Sequence, residues 1–214
     1  MVSQPVSSAY HISFAGVDGA GKTVQAALLY RRLRARGLSA YLWEGDDEFA
    51  LEALRTVAIG ERVPSIREFY PHEVLDVVKA VEAARATALV ATPLLANARI
   101  VVAPRSALDI LAVARAYGSP AVEQVAEILE LVPPADLTLR LELGADEARA
   151  RVRRRSSDVD DRSFVERYAR ELDRIGEEQG WHRVSATGSP EDVHERVWPV
   201  VAAKLGEDLE AAAS

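Results

Sequence analysis

The sequence has 214 residues, of which 49% are hydrophobic, and it contains no cysteine. This length suffices for one well-buried domain, and the lack of cysteine excludes disulfide bonds and thiolate metal sites and suits a reducing cytoplasm. The formal net charge of −7 excludes the broad basic surface of a nucleic-acid-binding protein. No apolar run approaches the roughly 20 residues that span a bilayer. We therefore expect a cytoplasmic protein with neither a membrane nor a nucleic-acid partner.

Strand-like and helix-like patterns alternate along the chain, which favours an α/β fold with a parallel sheet covered by helices. Apolar runs predict strands at 11–15, 38–43, 99–103, 137–142 and 181–185. Helix-like spacing predicts helices at 22–36, 48–59, 72–91, 106–117, 121–131, 146–155, 163–180 and 190–205. No repeat or linker divides the chain, so we expect one domain over 10–205. Residues 1–9 are expected to form a flexible lead-in, and residues 206–214 a frayed tail.

The segment after the first predicted strand reads Gly16-Val-Asp-Gly-Ala-Gly-Lys-Thr23, which fits the phosphate-binding P-loop pattern G-x-x-x-x-G-K-[ST]. Glycines there allow positive φ angles that turn backbone N–H groups toward an anion. Lys22 can reach the β- and γ-phosphates of a nucleotide, and the Thr23 hydroxyl can bind Mg²⁺. The alternative is a glycine-rich turn between a strand and a helix. We predict a nucleotide-phosphate site that includes the following residues: Gly16, Asp18, Gly19, Ala20, Gly21, Lys22, Thr23 and Val24.

Two further strands end in residues that can act on a phosphoryl group, at the sheet edge where ligands of open α/β sheets bind. Glu44 follows the second strand and could accept a proton or hold a Mg²⁺-bound water; the alternative is a solvated acidic turn. Arg105 follows the third strand and could clamp a phosphate; the alternative is an ordinary surface arginine.

The predicted helix 72–91 has a periodic apolar face, and Pro71 and Pro93 are plausible markers of its two ends. That face consists of Val74, Val77, Val78, Val81 and Leu89.

An arginine-rich segment ends the predicted helix 146–155, with Arg151, Arg154 and Arg155 on one face. A polar stretch follows it, so residues 151–162 are predicted to form a lid that brings arginines onto a transferring phosphoryl group and excludes water. The alternative is a solvated charge run favoured by the dipole at the helix C-terminus.

Several segments resemble the thymidylate kinase family of P-loop nucleoside monophosphate kinases. Phe14–Thr23 is similar to that family's opening F-x-G-x-D-G-A-G-K-[ST]. Further similar segments are Ala91–Asn97, Pro134–Leu141, Arg151–Arg162 as the lid, and Val184–Asp192 as the loop on the base side. The resemblance runs over about 10–205. It implies a three-layer P-loop fold with a five-stranded parallel sheet, helices on both faces and a lid.

The resemblance also implies roles for individual residues. Lys22 and the loop amides would bind the ATP phosphates, Thr23 would bind Mg²⁺, and Asp18 would approach the sugar or phosphate of the acceptor. Arg105 would hold the acceptor phosphate. Arg151, Arg154 or Arg155 would close over the γ-phosphoryl group. Ala186 and Thr187 belong to the 185–190 loop that would lie against adenine, and the family's pairing through helices such as 72–91 implies a homodimer.

The acceptor half departs from the family's pattern. Pro104 stands where the family has the aspartate of an Asp-Arg pair, and related deoxynucleoside kinases have Glu-Arg-Ser at this place. Arg85 lies about two positions from the register of the family's pyrimidine-contacting arginine. The helix Glu73–Ala91 contains no aromatic residue that could stack on a base.

Three functional hypotheses follow from these patterns. The first is ATP- and Mg²⁺-dependent phosphoryl transfer to a nucleoside monophosphate, with dTMP as the first candidate. The second is a kinase for a different nucleoside or a specialised metabolite, with a rebuilt acceptor pocket. The third is a nucleotide-binding protein with little transfer activity.

Overall fold

A computed structural model describes residues 9–43, 49–63, 66–97, 99–155 and 159–211. Within these ranges five strands form one sheet in the order β2-β3-β1-β4-β5, and every neighbouring pair is parallel. The strands are β1 Tyr10–Ala15, β2 Ala40–Leu42, β3 Ile100–Ala103, β4 Leu137–Glu142 and β5 His182–Ser185. With helices on both faces of the sheet, the predicted α/β fold is confirmed.

The helices connect successive strands and cover the sheet. In chain order they are α1 Lys22–Ala35, α2 Phe49–Gly60, α3 Ile66–Phe69, α4 His72–Ala86, α5 Thr92–Asn97, α6 Leu108–Tyr117, α7 Val122–Leu129, α8 Ala145–Arg153, α9 Arg162–Gln179 and α10 Pro190–Ala211. Helix α1 packs on β1 and β3 and against α10, whereas α9 packs on β4 and against α6. Helix α6 contacts α7 and α4, so these helices form a second layer.

The two faces of the central strands differ in polarity. Ile12 and Phe14 of β1 alternate with Ser13 along the strand, and both are fully buried in the apolar core. On the other face, the hydroxyl groups of Ser13 and Thr138 lie 2.9 Å apart in a hydrogen bond. Alternation along a strand points successive side chains to opposite faces. The face of the sheet that one helix layer covers is therefore polar at its centre, and the face that the other layer covers is apolar.

The predicted helix 72–91 is wrong at its C-terminal end. Helix α4 ends at Ala86, a π-helical segment follows over Thr87–Ala91, and α5 then begins at Thr92. The Thr92 hydroxyl donates a hydrogen bond to the Thr87 carbonyl at 3.0 Å, which helps to close the wider π turn. Pro93 does not stop the helical path, because it stands in the first turn of α5, where a missing N–H group is tolerated.

The apolar face predicted on this helix lies largely on the surface of the chain. Val74, Val81 and Leu89 are 40%, 47% and 63% exposed. The side of α4 that packs inward carries other residues, and two of them are acidic: Leu75, Asp76, Ala80 and Glu82. The periodicity indicated a helix but not the side on which the helix packs.

Other element boundaries also differ from the sequence-based ones. Helix α10 continues to Ala211, so the predicted frayed tail at 206–214 is helical for most of its length. The helices α3 and α5 were not predicted, and β2 is shorter than the predicted strand 38–43. Residues 1–8 of the predicted lead-in, the tail residues 212–214 and Glu44 lie outside the described residues. Across the described ranges, no helix combines the length and the apolar character needed to cross a membrane.

Candidate active site

The candidate site lies where the chain leaves the carboxyl end of β1. This strand is central, with β3 on one side and β4 on the other. The chain visits β2 and β3 first and then crosses to β4 and β5, so the strand order reverses beside β1. In open α/β sheets, ligands bind in the crevice at such a reversal, which places the predicted P-loop in the expected position.

The backbone of the P-loop has the conformation that phosphate binding needs. Gly19 and Gly21 have φ angles of 90° and 92°, which favour glycine. A Cβ atom on Gly19 would lie 2.5 Å from the carbonyl oxygen of Ala148 in α8, whereas a Cβ on Gly21 would meet nothing within 4 Å. One glycine therefore permits close packing on α8, and the other leaves an open approach to the loop.

Helix α1 begins directly after the loop and presents its N-terminus to the same crevice. It has no side-chain cap and no acidic residue in its first turn. Backbone N–H groups and the positive end of the helix dipole are thus available to an anion. Thr23 and Val24 stand exposed in this first turn. These features fit the triphosphate of a nucleotide.

Lys22 lies folded against the loop that it follows. It is only 7% exposed, and its Nζ atom donates hydrogen bonds to the carbonyl oxygens of Gly16 and, at 3.3 Å, Val17. The same atom lies 3.6 Å from Oδ1 of Asp18. Burial lowers the pKa of Lys22, although Asp109 and Asp18 oppose this effect. The lysine is therefore held in the loop by carbonyl groups and by carboxylates.

Asp18 is surrounded by cations from three parts of the chain. Burial alone would raise the pKa of its carboxyl group, but Lys22, Arg105 and Arg155 more than offset this effect, and the net pKa shift is downward. The structure thus brings together Arg105, predicted to follow β3, and Arg155, predicted in the lid, around the P-loop aspartate.

The donor set fits Mg²⁺ bound together with a nucleotide. Mg²⁺ usually keeps several waters and takes one or two protein oxygens in addition to substrate phosphates. The Thr23 hydroxyl is exposed at the end of the loop and can supply such an oxygen. Within the described ranges, no three histidine or acidic residues form a metal-binding group, so these residues offer no dedicated metal cage.

A cavity of about 970 Å³ opens beside the P-loop, between the polar face of the sheet and the second helix layer. Its lining includes Asp18 and Arg105 near the loop, and Glu82 farther out on α4. Pro104 also lines the cavity, at the position where the resembled family has an aspartate. The volume lies at the upper end of the roughly 300–1,000 Å³ that ligand pockets occupy, which is enough for a nucleotide-sized acceptor.

Aromatic rings reach this cavity from elements that the sequence reasoning did not consider. Tyr117 of α6 stacks on Phe164 of α9 with ring centroids 4.2 Å apart, and Phe164 is followed by Tyr168 at 6.0 Å. All three rings line the cavity. Helix α4 contributes His72, which stacks on Tyr117 at 4.6 Å. The sequence analysis considered aromatic residues on the helix Glu73–Ala91 alone, whereas the fold brings together rings from three helices.

Asp109 is a site residue that the sequence did not reveal. It lies in the first turn of α6, lines the cavity and is 7% exposed. Burial raises its pKa to about 6, although Lys22, Arg140 and Arg105 act in the opposite direction. An acid in the first turn of a helix is usually explained by the helix dipole, so the sequence carried no specific signal for it.

Arg151 bonds to the base-side loop instead of pointing into the crevice. Its Nη2 atom donates to the carbonyl oxygens of Ala186 at 3.0 Å and Gly188 at 3.3 Å. From the other side, Arg196 donates to the carbonyl oxygens of Ser185 and Thr187. Two guanidinium groups therefore fix four successive carbonyls of this loop.

The remaining predicted residues are distributed as follows. Ala186 is fully buried and Thr187 is exposed, with its hydroxyl 2.9 Å from that of Ser185. Arg154 is exposed at the end of α8. The structure thus gathers Lys22, Arg105 and Arg155 around Asp18.

A family model described as thymidylate kinase matches residues 14–197, which include the P-loop, the cavity-lining helices and the base-side loop. No curated protein matches the chain.

Proposed function

Because the chain belongs to the thymidylate kinase family of nucleoside monophosphate kinases, we propose that it transfers the γ-phosphoryl group of ATP to a nucleoside monophosphate. Thymidylate is the first candidate acceptor, Mg²⁺ is the expected metal ion, and the cytoplasm is the expected location. The observation that carries this proposal is the adjacency of two sites. The P-loop, with its open Gly21 and buried Lys22, adjoins the cavity that Asp18 and Arg105 line.

Catalysis on this proposal is positioning combined with electrostatic stabilisation. Phosphoryl transfer spreads negative charge over the transferred group, and fixed cations stabilise that charge best where water is excluded. Lys22 binds the donor phosphates, and Arg105 binds the acceptor phosphate. Asp18 interacts electrostatically with both cations. Thr23 would hold a Mg²⁺ ion, which would supply further neutralisation of the phosphate charge. On this proposal, Arg154 and Arg155 of the predicted lid also stabilise the negative charge on the transferred phosphoryl group.

The experiment is a coupled ADP-release assay over a panel of nucleoside monophosphates and free nucleosides, with and without Mg²⁺. We expect at least one monophosphate, dTMP first, to raise ADP release well above the rate with ATP alone. If no acceptor does so, the proposed transfer is wrong. Tight ATP binding without any acceptor-dependent turnover would instead support a nucleotide-binding protein with little transfer activity.

A second candidate is a kinase for a different nucleoside or a specialised metabolite. Arg85, the arginine nearest the expected base-contacting register, forms an ion pair with Glu82 at 3.0 Å. Glu82 also accepts a hydrogen bond from the backbone N–H of Ala50 at 3.3 Å. Because Arg85 already pairs with Glu82, its guanidinium group is engaged within the protein, which supports an acceptor pocket rebuilt for a different substrate. Nucleosides in the panel that outperform every monophosphate would favour this candidate.

A homodimer is part of the proposal. Three large apolar side chains on and after α4, Val74, Val81 and Leu89, are exposed in the single chain, and exposed apolar patches of this kind mark interaction surfaces. Sedimentation analysis should give twice the chain mass of 23.3 kDa, and Val81→Asp should shift the protein toward the monomer. A wild-type monomer at micromolar concentration would contradict this part.

A further inference from the structure

Asp109 is a buried carboxylate that faces the site without belonging to any of the predicted motifs. It lines the cavity, and among the described residues none donates a hydrogen bond to its Oδ1 atom. Buried polar atoms in folded proteins nearly always have partners, so an unsatisfied one needs an explanation.

The groups that face Asp109 come from every element packed around it. They are Lys22 and Asp18 of the P-loop, Arg105 of the segment between β3 and α6, Arg140 of β4, and Tyr168 of α9. Arg140 also pairs with Asp173 at 3.2 Å, and the Tyr168 hydroxyl lies 3.5 Å from the Gly16 carbonyl oxygen. Among the cations, Lys22 has the largest effect on the pKa of Asp109, and Arg140 and Arg105 act in the same direction.

Lys22 depends on this carboxylate more than on its sequence neighbour Asp18. Burial disfavours the charged form of Lys22, and Asp109 is the strongest of the charges that oppose this effect, ahead of Asp18. Asp18 is itself 63% exposed at its side chain, so water screens it, whereas Asp109 is buried. A charge interaction is stronger where water is excluded.

The backbone fixes Asp109 relative to Arg105. Asp109 donates its N–H group to the Ser106 carbonyl at 3.1 Å, and the Ser106 hydroxyl accepts a hydrogen bond from Leu108 N at 3.3 Å. This short turn joins the arginine to the first turn of α6. One short turn thus joins Arg105 to Asp109 in the helix that follows it, although the residue before Arg105 is Pro104.

Resting on the proposed kinase function, we propose that Asp109 is a positioning residue that holds Lys22 and Arg105 at the transferring phosphoryl group. In this role Asp109 replaces the aspartate that the family has at the position of Pro104. The carboxylate does not touch the reacting atoms; it fixes the two cations that do.

The test is Asp109→Asn, which keeps the shape of the side chain and removes its charge. We expect kcat to fall by roughly 10- to 100-fold, the size of effect that misplacement of a catalytic group produces, with KM for ATP nearly unchanged. The matched control is Asp76→Asn. Asp76 is also a buried acid with an unpaired oxygen and a pKa raised by burial, but it does not line the cavity, so its kcat should equal that of the wild type.

A pH series separates positioning from a merely structural role. The pKa of Asp109 is about 6, so its carboxylate is charged above that pH and neutral below it. The ratio of wild-type to Asp109→Asn rates should be large at pH 8 and approach one below pH 6. Ionisation of the nucleotide phosphates affects both proteins equally and cancels in the ratio.

The same variant should not lose stability. Because burial raises the pKa of Asp109, its charged form is disfavoured in the folded protein, and the neutral asparagine should unfold at the same temperature or a higher one at pH 8. Equal rates for wild type and Asp109→Asn at pH 8, or a ratio that does not change with pH, would overturn the proposal while leaving the kinase function intact. A wild-type protein that transfers to no acceptor would remove both.

Discussion

On the proposed donor side of this molecule the backbone itself forms the binding surface, whereas on the proposed acceptor side the surface is made of side chains. The donor side comprises the glycines of the P-loop, the first turn of α1 and the carbonyls of the 185–188 loop that Arg151 and Arg196 fix. The acceptor side is the cavity, to which α4, α6 and α9 contribute acids, cations and aromatic rings.

The difference explains why one side can be recognised in a sequence and the other cannot. A backbone surface requires glycine at fixed spacings, because only glycine tolerates the angles and the close approaches. A side-chain surface can be built from many residue types on helices that are far apart in the chain. It also means that the donor side tolerates little change, while the acceptor side can be rebuilt for a new substrate.

Removal of the cation on the donor side should have the largest effect. Lys22→Met keeps most of the aliphatic stem and deletes the Nζ atom that contacts the Gly16 and Val17 carbonyls. We expect transfer to fall by about 10³-fold or more, measured as acceptor-dependent ADP release. Circular dichroism should show an unchanged fold. Residual activity within tenfold of the wild type would contradict the role given to Lys22.

Arg105→Ala tests the boundary between the two sides. Loss of a charge-assisted hydrogen bond to the acceptor phosphate should raise its KM by roughly 10- to 100-fold. ATP affinity, measured by titration calorimetry, should stay within about twofold, because Arg105 lines the cavity and not the loop. An equal loss of affinity for both substrates would show that the two sides are not separable.

The two positive-φ glycines of the P-loop should differ in their effect on stability. Gly21→Ala introduces backbone strain alone, worth about 1–2 kcal/mol. Gly19→Ala adds a clash, since its Cβ would lie 2.5 Å from the Ala148 carbonyl, and should cost more than about 2 kcal/mol. Urea unfolding measures both free energies. Equal losses would mean that the contact with α8 does not constrain the loop.

The smallest effect is expected at the base-side loop. Arg151→Ala removes the hydrogen bonds to the Ala186 and Gly188 carbonyls and should raise KM for ATP about fivefold, equivalent to roughly 1 kcal/mol. Arg153→Ala, in the same helix but exposed, is the matched control and should change nothing. Arg151 would have no part in donor binding if both variants behaved alike.

The sequence revealed the elements with local signals and missed those that depend on tertiary packing. The five strands and the P-loop were predictable because apolar runs and the glycine spacing are local. The π segment Thr87–Ala91 was not, because it replaces one hydrogen-bonding pattern with a similar one inside a continuous helical run. The packing side of α4 was missed because its exposed face is more apolar than its buried face, which carries Asp76 and Glu82.

The candidate site divides in the same way. The spacing of the P-loop pattern identified Lys22, and the carboxyl-end rule identified Arg105, which closely follows a strand. Asp109 and Phe164 stand within helices, and nothing local distinguishes them from ordinary helix residues. They become site residues only when α6 and α9 fold against the polar face of the sheet.

The close approach of Gly19 to Ala148 has a mechanical consequence. Because not even a methyl group fits between Gly19 and the Ala148 carbonyl of α8, a displacement of the loop toward this helix must also displace the helix. Arg149 on the same helix donates to the carbonyl oxygen of Asp160 at 3.0 Å, just before α9 begins. Helix α8 therefore contacts the phosphate-binding loop at one point and the residues just before α9 at another, so it couples the positions of these two regions.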